Sequence, residues 1–290
     1  MYCIETETLQ LRLEVVPVEA LLQHEEILPH LVDKLVYEFK NWANLQNPII
    51  VDNNNIVLDG NHRAFVFKKL NFRYIPVCRI DYLHEKAQLR YWFRLLGNVN
   101  QDDLKAIVAE IGVHLHLVED REVLEEHLKE NPLACGIQGC DFHALISFGA
   151  DAADDAVGAY HCVERIQELL SERGATLSFI PCHLVYEGKF CNLLKDDELI
   201  IWTPHITKEM VVEAAKKKRL FAPKTTRHCI PARPLNVNVP TSWFKDTLSF
   251  QEINRKFSEF LEAKGVRRFS PGQVIDGRYY EEEIFVFFDK

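Results

Sequence analysis

Hydrophobic and polar positions along the chain switch repeatedly between a two-residue and a 3.6-residue period, the pattern of strands alternating with helices. Residues 11–18 alternate well enough to predict a first strand, closed by Pro17. Leu31, Val32, Leu35, Val36 and Phe39 recur at helical spacing, which predicts an amphipathic helix ending near Trp42. Pro48-Ile49-Ile50-Val51 reads as a short buried strand. The turn formers Asp52, Asn53, Asn54 and Asn55 then return the chain into Ile56-Val57-Leu58, so the two runs predict a hairpin. Asp59-Gly60-Asn61-His62-Arg63 breaks the second strand. A helix carrying Phe65, Val66, Lys69 and Leu70 follows, and 74–80 is a further strand.

Beyond residue 100 the pattern predicts helices over 104–111 and 122–129 and strands over 133–137 and 144–148. A helix over 154–173 is stopped by Gly174, since glycine readily takes the left-handed cap conformation. Strands follow over 175–182 and 199–202. Thr207 starts another helix, with Glu209 in its first turn and lysines in its last, as the macrodipole favours. A helix over 249–264 and a strand over 284–288 complete the chain. No repeat or flexible linker interrupts this alternation, so the fold class is α/β or α+β. The apolar pattern lapses near 96–103, which divides the chain into 1–97, 98–240 and a C-terminal extension, 241–290.

Composition narrows the function classes. Hydrophobic residues make up 47% and charged residues 27% of the 290, as in an ordinary globular protein. The formal net charge of −9 argues against sequence-independent binding of nucleic acid, which needs a dense basic surface. The one tight basic cluster, Lys216-Lys217-Lys218-Arg219, reads as the solvated end of a helix. No apolar run approaches the roughly 18 residues of a membrane span. The first ten residues hold two glutamates and no basic stretch, unlike a signal peptide. Eight cysteines without a CxxC pair read as reduced thiols, and the expected compartment is cytoplasmic. Cys135, Cys140 and His143 come nearest to a metal-binding set, but no second pair follows them.

Asp59-Gly60-Asn61-His62-Arg63 carries the most chemistry. A strand that ends in Asp-Gly and runs straight into a helix leaves first-turn amides unpaired at the positive end of a dipole, which suits an anion. Gly60 lets the backbone approach a phosphate, Arg63 offers a planar fork, and His62 can donate a hydrogen bond or shuttle a proton. The plainer alternative is a turn in which Asp59 caps the helix and Arg63 is solvated. Four polar residues packed between two apolar runs favour the anion site.

The run Pro48-Ile49-Ile50-Val51-Asp52, then Ile56 to Phe65, then Ile75-Pro76-Val77 resembles the ParB/sulfiredoxin superfamily, whose helix-start motif binds nucleotide phosphates. Sulfiredoxin carries a catalytic cysteine in this loop, where this chain has Asn61. ParB partition proteins carry an arginine-rich version and a downstream helix-turn-helix, and neither is present. Two further segments resemble the free L-serine kinases of that fold. Gln23-His24-Glu25 is similar to the His-Glu dipeptide that bears their catalytic glutamate. Phe221-Ala222-Pro223-Lys224-Thr225-Thr226-Arg227-His228 resembles their FPPKTTRH signature, which closes over substrate, with Ala222 in place of a frequent proline. The resemblance spans about 15–240.

It implies phosphorylation of free serine by ATP or ADP with Mg²⁺, and the residue chemistry is coherent with that. A primary alcohol needs a base, and Glu25 is the candidate. The phosphoryl group needs oriented donors, and Gly60, Asn61, His62, Arg63, Thr225 and Arg227 are the candidates. Asp59 would hold Mg²⁺ or assist the base. The resemblance assigns serine recognition to Trp92, Thr226 and His228. Without it, Glu25 reads as an exposed glutamate beside Glu26, the two threonines as loop residues and Trp92 as core.

Two other classes stand beside the kinase. A non-catalytic nucleotide sensor would have no use for Glu25. A ParB-type nucleotidase acting with DNA sits badly with the acidic balance. No GxxxxGK[ST] loop and no protein-kinase motif set is present.

Overall fold

The computed structural model describes residues 2–7, 9–41, 44–149, 153–190, 193–245 and 247–290. The chain divides into two compact units, Met1–Gln88 with His228–Lys290, and Leu89–Arg227. The predicted end of the first helix at Trp42 lies outside the described residues.

The first stretch runs β1 (Tyr2–Glu5), β2 (Gln10–Pro17), α1 (Pro29–Asn41), β3 (Asn44–Leu45), β4 (Ile49–Val51), β5 (Val57–Asp59), α2 (Asn61–Lys69) and β6 (Tyr74–Arg79). Five of these strands form one sheet in the order β1-β2-β6-β4-β5. Its β4 and β6 are parallel, with Ile49 opposite Val77, while β2–β6 and β4–β5 are antiparallel. A parallel pair needs a crossover, and β5 with α2 supplies it. That requirement puts the start of α2 at the end of β5, where the Asp-Gly motif lies. Phe67 anchors α2 in an aromatic cluster, with ring centroids 5.2 Å from Phe39, 4.7 Å from Phe72 and 5.7 Å from Phe244.

The second unit holds β7 (Gln88–Gly97), α3 (Gln101–Glu110), β8 (His114–Val118), α4 (Arg121–Glu130), β9 (Cys135–Gln138), β10 (His143–Ser147), α5 (Ala156–Glu172), β11 (Thr176–Pro181), α6 (Cys182–Tyr186), β12 (Leu199–Trp202), α7 (Lys208–Lys216) and β13 (Thr226–Cys229), the first and last reaching its boundaries. The sheet order is β11-β7-β12-β9-β10-β8, with β13 also pairing with β7. Alternation along β12 shows why both faces are covered. Leu199 and Ile201 pack with α3 and α5, whereas Ile200 and Trp202 pack with α4 and α6. Gly174 ends α5 at φ +100°, and Thr207 caps α7 by accepting from the Met210 amide, both as the sequence predicts. The basic cluster sits at the end of α7, where Lys217 pairs with Glu213 at 2.6 Å and Arg219 pairs with Asp155.

The chain then returns to the first unit with β14 (Ala232–Leu235), β15 (Val239–Pro240), α8 (Phe250–Ala263), β16 (Lys264–Phe269), β17 (Gln273–Ile275), β18 (Arg278–Tyr280) and β19 (Glu283–Asp289). The helix α8 opens on a capping box between Ser249 and Glu252. Its Asn254 side chain donates to the Val15 carbonyl and accepts from the Val15 amide, both at 2.9 Å. A three-stranded sheet, β14-β19-β16, completes the unit. The divisions expected from sequence, 1–97, 98–240 and 241–290, therefore fall elsewhere in the structure. The first boundary lies before Leu89 because β7 belongs to the second sheet, and residues 241–290 pack with the N-terminal stretch.

Candidate active site

Gly60 shapes the turn after β5. It adopts φ +101°, and a Cβ there would lie 2.6 Å from Ile49 Cγ2 and 2.8 Å from Arg63 Nη2, so a side chain is excluded on both counts. The first helical bond of α2 joins the Ala64 amide to the Gly60 carbonyl at 2.9 Å. The amides of Asn61, His62 and Arg63 consequently have no intrahelical acceptor. They border a cavity of about 360 Å³ that is also lined by Lys34, Leu35 and Glu38 of α1. Lys34 has no ion-pair partner among the described residues, and it is a candidate phosphate contact that the sequence reading missed. The Asn61 Oδ1 atom is buried without a hydrogen-bond partner.

The segment bearing the His-Glu dipeptide is laid along this turn. The Leu22 amide donates to the Asn55 carbonyl, and the Leu22 carbonyl accepts from the Val57 amide, both at 2.9 Å. Gln23 Nε2 donates to the Asn61 carbonyl at 3.1 Å. The Leu28 amide donates to His62 Nε2 at 2.9 Å, which fixes the His62 proton on Nδ1. Glu25, half-buried, thus stands on a segment pinned on both sides to the first turn of α2. His24 is fully buried, and burial lowers its pKa to about 4 against the opposing hydrogen bond with the Val57 backbone. Its ring meets that of His228 edge-on at 5.2 Å, and His228 Nε2 lies 3.0 Å from the Tyr82 hydroxyl. Within the first unit, then, the His-Glu dipeptide and the final histidine of the Lys-Thr-Thr-Arg-His motif are neighbours.

Arg63 does not reach into open space. Its Nη1 donates to the Asn47 carbonyl at 2.6 Å and to the Pro48 carbonyl at 3.3 Å, and its Nη2 lies 3.6 Å from Asp59. The same carboxylate oxygen of Asp59 accepts from Arg233 Nη1 at 2.8 Å, and Arg233 Nε donates to Glu282. Burial would raise the Asp59 pKa, but attraction to Arg233 and Arg63 and the Arg233 hydrogen bond outweigh it and lower the value to about 2. This ion-pair system bears on magnesium. Mg²⁺ is usually held by one or two carboxylates together with substrate phosphates. Asp59 is already neutralised by two guanidiniums, and no group of three or more His, Cys, Asp or Glu with metal-binding geometry occurs among the described residues. Asp59 does not fit the role of magnesium ligand, because the ion would have to approach two fixed cations.

The remaining motif residues gather within the second unit. Trp92 Nε1 donates to the Thr226 carbonyl at 3.3 Å, and the Lys224 and Arg227 side chains lie 5.6 and 5.7 Å from its ring centroid. Thr225 is fully buried and donates its hydroxyl to the Ala222 carbonyl at 2.7 Å, so it frames the loop. The loop is held from beneath by Arg94, another residue missed from sequence. Fully buried, it donates through Nη1 to the carbonyls of Trp92 at 2.8 Å and Lys224 at 3.0 Å, through Nη2 to Pro223 at 3.4 Å, and through Nε to Gln167 at 3.0 Å. An arginine two residues after a tryptophan in a strand was the available signal, and nothing local marks its partners.

Comparison with known proteins agrees with this geometry. No protein-family profile matches the chain. The ATP-dependent L-serine kinase of Staphylothermus marinus is 27% identical over 244 residues, which cover 80% of this chain and 90% of that protein. The ADP-dependent L-serine kinase SerK of Thermococcus kodakarensis is 24% identical over 195 residues, 63% of this chain and 71% of that one. Over most of its length the chain is similar to L-serine kinases. Solved structures agree on the ParB/sulfiredoxin-like fold. A free serine kinase in complex with AMP superposes with a TM-score of 0.65 at 18% identity, covering 84% of this chain and 97% of the other. A C-terminally truncated SbnI from Staphylococcus aureus gives 0.68 at 19% identity, covering 86% and 95%. Both lie too far off in sequence to carry more than the fold.

Proposed function

We propose that this chain is a free L-serine kinase, transferring the terminal phosphoryl group of ATP or ADP to the serine hydroxyl to give O-phospho-L-serine. The observation that carries the reading is the pinning of the Glu25 segment, through Gln23 and Leu28, to the amide-rich first turn of α2. A base and an anion cradle are thereby built from adjacent pieces of one unit. Likeness to curated L-serine kinases over most of the chain supports the same reaction.

Chemically, the serine Oγ attacks the terminal phosphorus while Glu25 takes the hydroxyl proton. The bond from phosphorus to the bridging oxygen breaks, and its electron pair leaves with ADP or AMP. The cradle amides and Lys34 oppose the charge on the transferred group. Arg63 acts one step back, holding the β4 approach and Asp59 in place, and Asp59 holds the arginines. Mg²⁺ would enter with the nucleotide phosphates, and Asp59, held by Arg63 and Arg233, would not be among its ligands. Trp92, Thr226 and His228 are the residues we assign to acceptor recognition, with Arg227 as a phosphate contact and Thr225 shaping their loop. A cytoplasmic location goes with a nucleotide donor and a free amino-acid acceptor. No helix among the described residues is long and apolar enough to cross a membrane.

The test is turnover by the purified chain with serine, Mg²⁺ and each nucleotide in turn. Serine-dependent release of ADP from ATP, or of AMP from ADP, is expected. Nucleotide binding without serine-dependent turnover would favour a sensor.

A further inference from the structure

A second cavity, of about 300 Å³, adjoins the phosphate cradle in the same unit, and Leu35, Glu38, Asp59 and Arg63 line both. Its chemistry differs from that of the first. Where the cradle offers helix amides and Lys34, this cavity has apolar walls from Phe39, Leu45, Pro48 and Leu235, with the side-chain amides of Asn44 and Gln46 among them. The C-terminal stretch closes it with Arg278 and Tyr280.

The charges around it are mostly balanced. Arg63 is committed to the Asn47 and Pro48 carbonyls and to Asp59, and Arg233 to Asp59 and Glu282. Arg278 differs. It is exposed, and among the described residues its side chain makes no hydrogen bond or close ion pair, though its charge adds to the attraction that lowers the Asp59 pKa. Its guanidinium lies over the Tyr280 ring, 4.8 Å from the centroid. A guanidinium stacked on one ring keeps a second planar face for another. A cavity of mixed apolar and polar lining, with amides, the Glu38 carboxylate and a planar cation to stack on, suits a heterocycle better than a second phosphate.

We propose that this cavity receives the nucleoside half of the donor nucleotide, its base stacking on Arg278, while the phosphates occupy the turn at the start of α2. The inference rests on the kinase reading for the placement of the phosphates. It gives residues 278–280, outside the stretch that resembles the serine kinases, a part in donor affinity.

Titration calorimetry on the full chain separates the two halves of the ligand, with ADP as the whole and pyrophosphate as the phosphates alone. Arg278→Ala should weaken ADP about tenfold, in line with the loss of one stacking partner, and should leave pyrophosphate affinity within twofold. Tyr280→Leu, which keeps apolar bulk beneath the arginine, should weaken ADP in the same direction. Unchanged ADP affinity in both variants would overturn the inference while leaving the kinase reading intact. So would an equal loss for ADP and pyrophosphate, which would put Arg278 at the phosphate end. Failure of the unaltered chain to bind ADP at all would overturn the kinase reading as well.

Discussion

The turn after β5 and the loop before β13 present their motif residues by opposite means. At the turn, backbone conformation does the shaping. Gly60 sits at φ +101° with no room for a side chain, and the groups offered to a ligand are main-chain amides. The nearby charges of Asp59, Arg63, Arg233 and Glu282 are paired with one another and act as scaffold. At the loop, one buried side chain does the shaping. Arg94 gathers three carbonyls, and the groups offered are side chains: Trp92, Thr226 and Arg227. A phosphate presents the same oxygens whatever the nucleoside, so a backbone cradle suffices for it. A small zwitterion must be told apart from its analogues by the groups it bears, which calls for side chains.

Changes that separate chemistry from scaffold should have the largest effects. Glu25→Gln keeps the shape of its segment but removes the base, and turnover should fall about 10²–10⁴-fold with ADP affinity little changed. Equal loss of turnover and nucleotide affinity would show that Glu25 serves the cradle instead. Arg94→Met should strip the loop of its support, leaving buried carbonyls without a donor at about 1–3 kcal/mol each. A loss of about 3 kcal/mol or more, seen as a Tm lower by roughly 10 °C, is the expected outcome in thermal unfolding. Arg94→Lys should restore little of it, since an ammonium cannot span the same carbonyls.

The buried histidine beside the cradle gives a pH signature. Folded His24 has a pKa of about 4 against an ordinary 6.5, so between those values the unfolded chain binds more protons than the folded one. Stability should therefore drop as the pH falls from 6.5 toward 4, by up to about 3 kcal/mol, and His24→Asn should flatten that window. Asp59, lowered to about 2, contributes stability that is fully present above its ordinary 3.8 and is lost as the pH falls from there through 2. A wild-type loss confined to pH below 4 would assign the effect to carboxylates. The smallest effects form a crossed pair. Arg63→Ala should weaken ADP by about 1.5–3 kcal/mol through release of the β4 approach. Thr226→Val should raise the serine KM severalfold and leave the nucleotide KM unchanged. Any exchange of these two outcomes would mean that the donor and acceptor assignments are reversed.

Much of this was legible in the sequence because it is local. The β4–β5 hairpin, the Gly60 break, the Gly174 stop and the Thr207 cap all follow from residues within a few positions of one another. The His-Glu and Lys-Thr-Thr-Arg-His motifs were likewise readable in place. What escaped was set by distant pairings. The ten-residue strand β7 shows no clean alternation because only part of it is buried, so the boundary was drawn after it and not before. The short strands β3, β14 and β15 owe their existence to partners far along the chain: Val239 pairs with Leu45, and Ala232 with Glu283. Arg63 looked like a phosphate ligand from its motif, yet its guanidinium is occupied by two carbonyls that precede β4. Arg94, Arg233 and Lys34 gain their meaning only from what the fold sets around them.

The central claim is that free serine is the acceptor, and ³¹P NMR of one reaction mixture tests it most directly. The purified chain, Mg²⁺ and the donor nucleotide would be offered serine, N-acetylserine and a seryl peptide at equal concentration. A phosphomonoester signal from O-phospho-L-serine alone is the predicted result, because a site built for the ammonium and carboxylate of serine leaves buried polar groups unpaired when either is capped. A phosphopeptide signal comparable to that of phosphoserine would contradict the account.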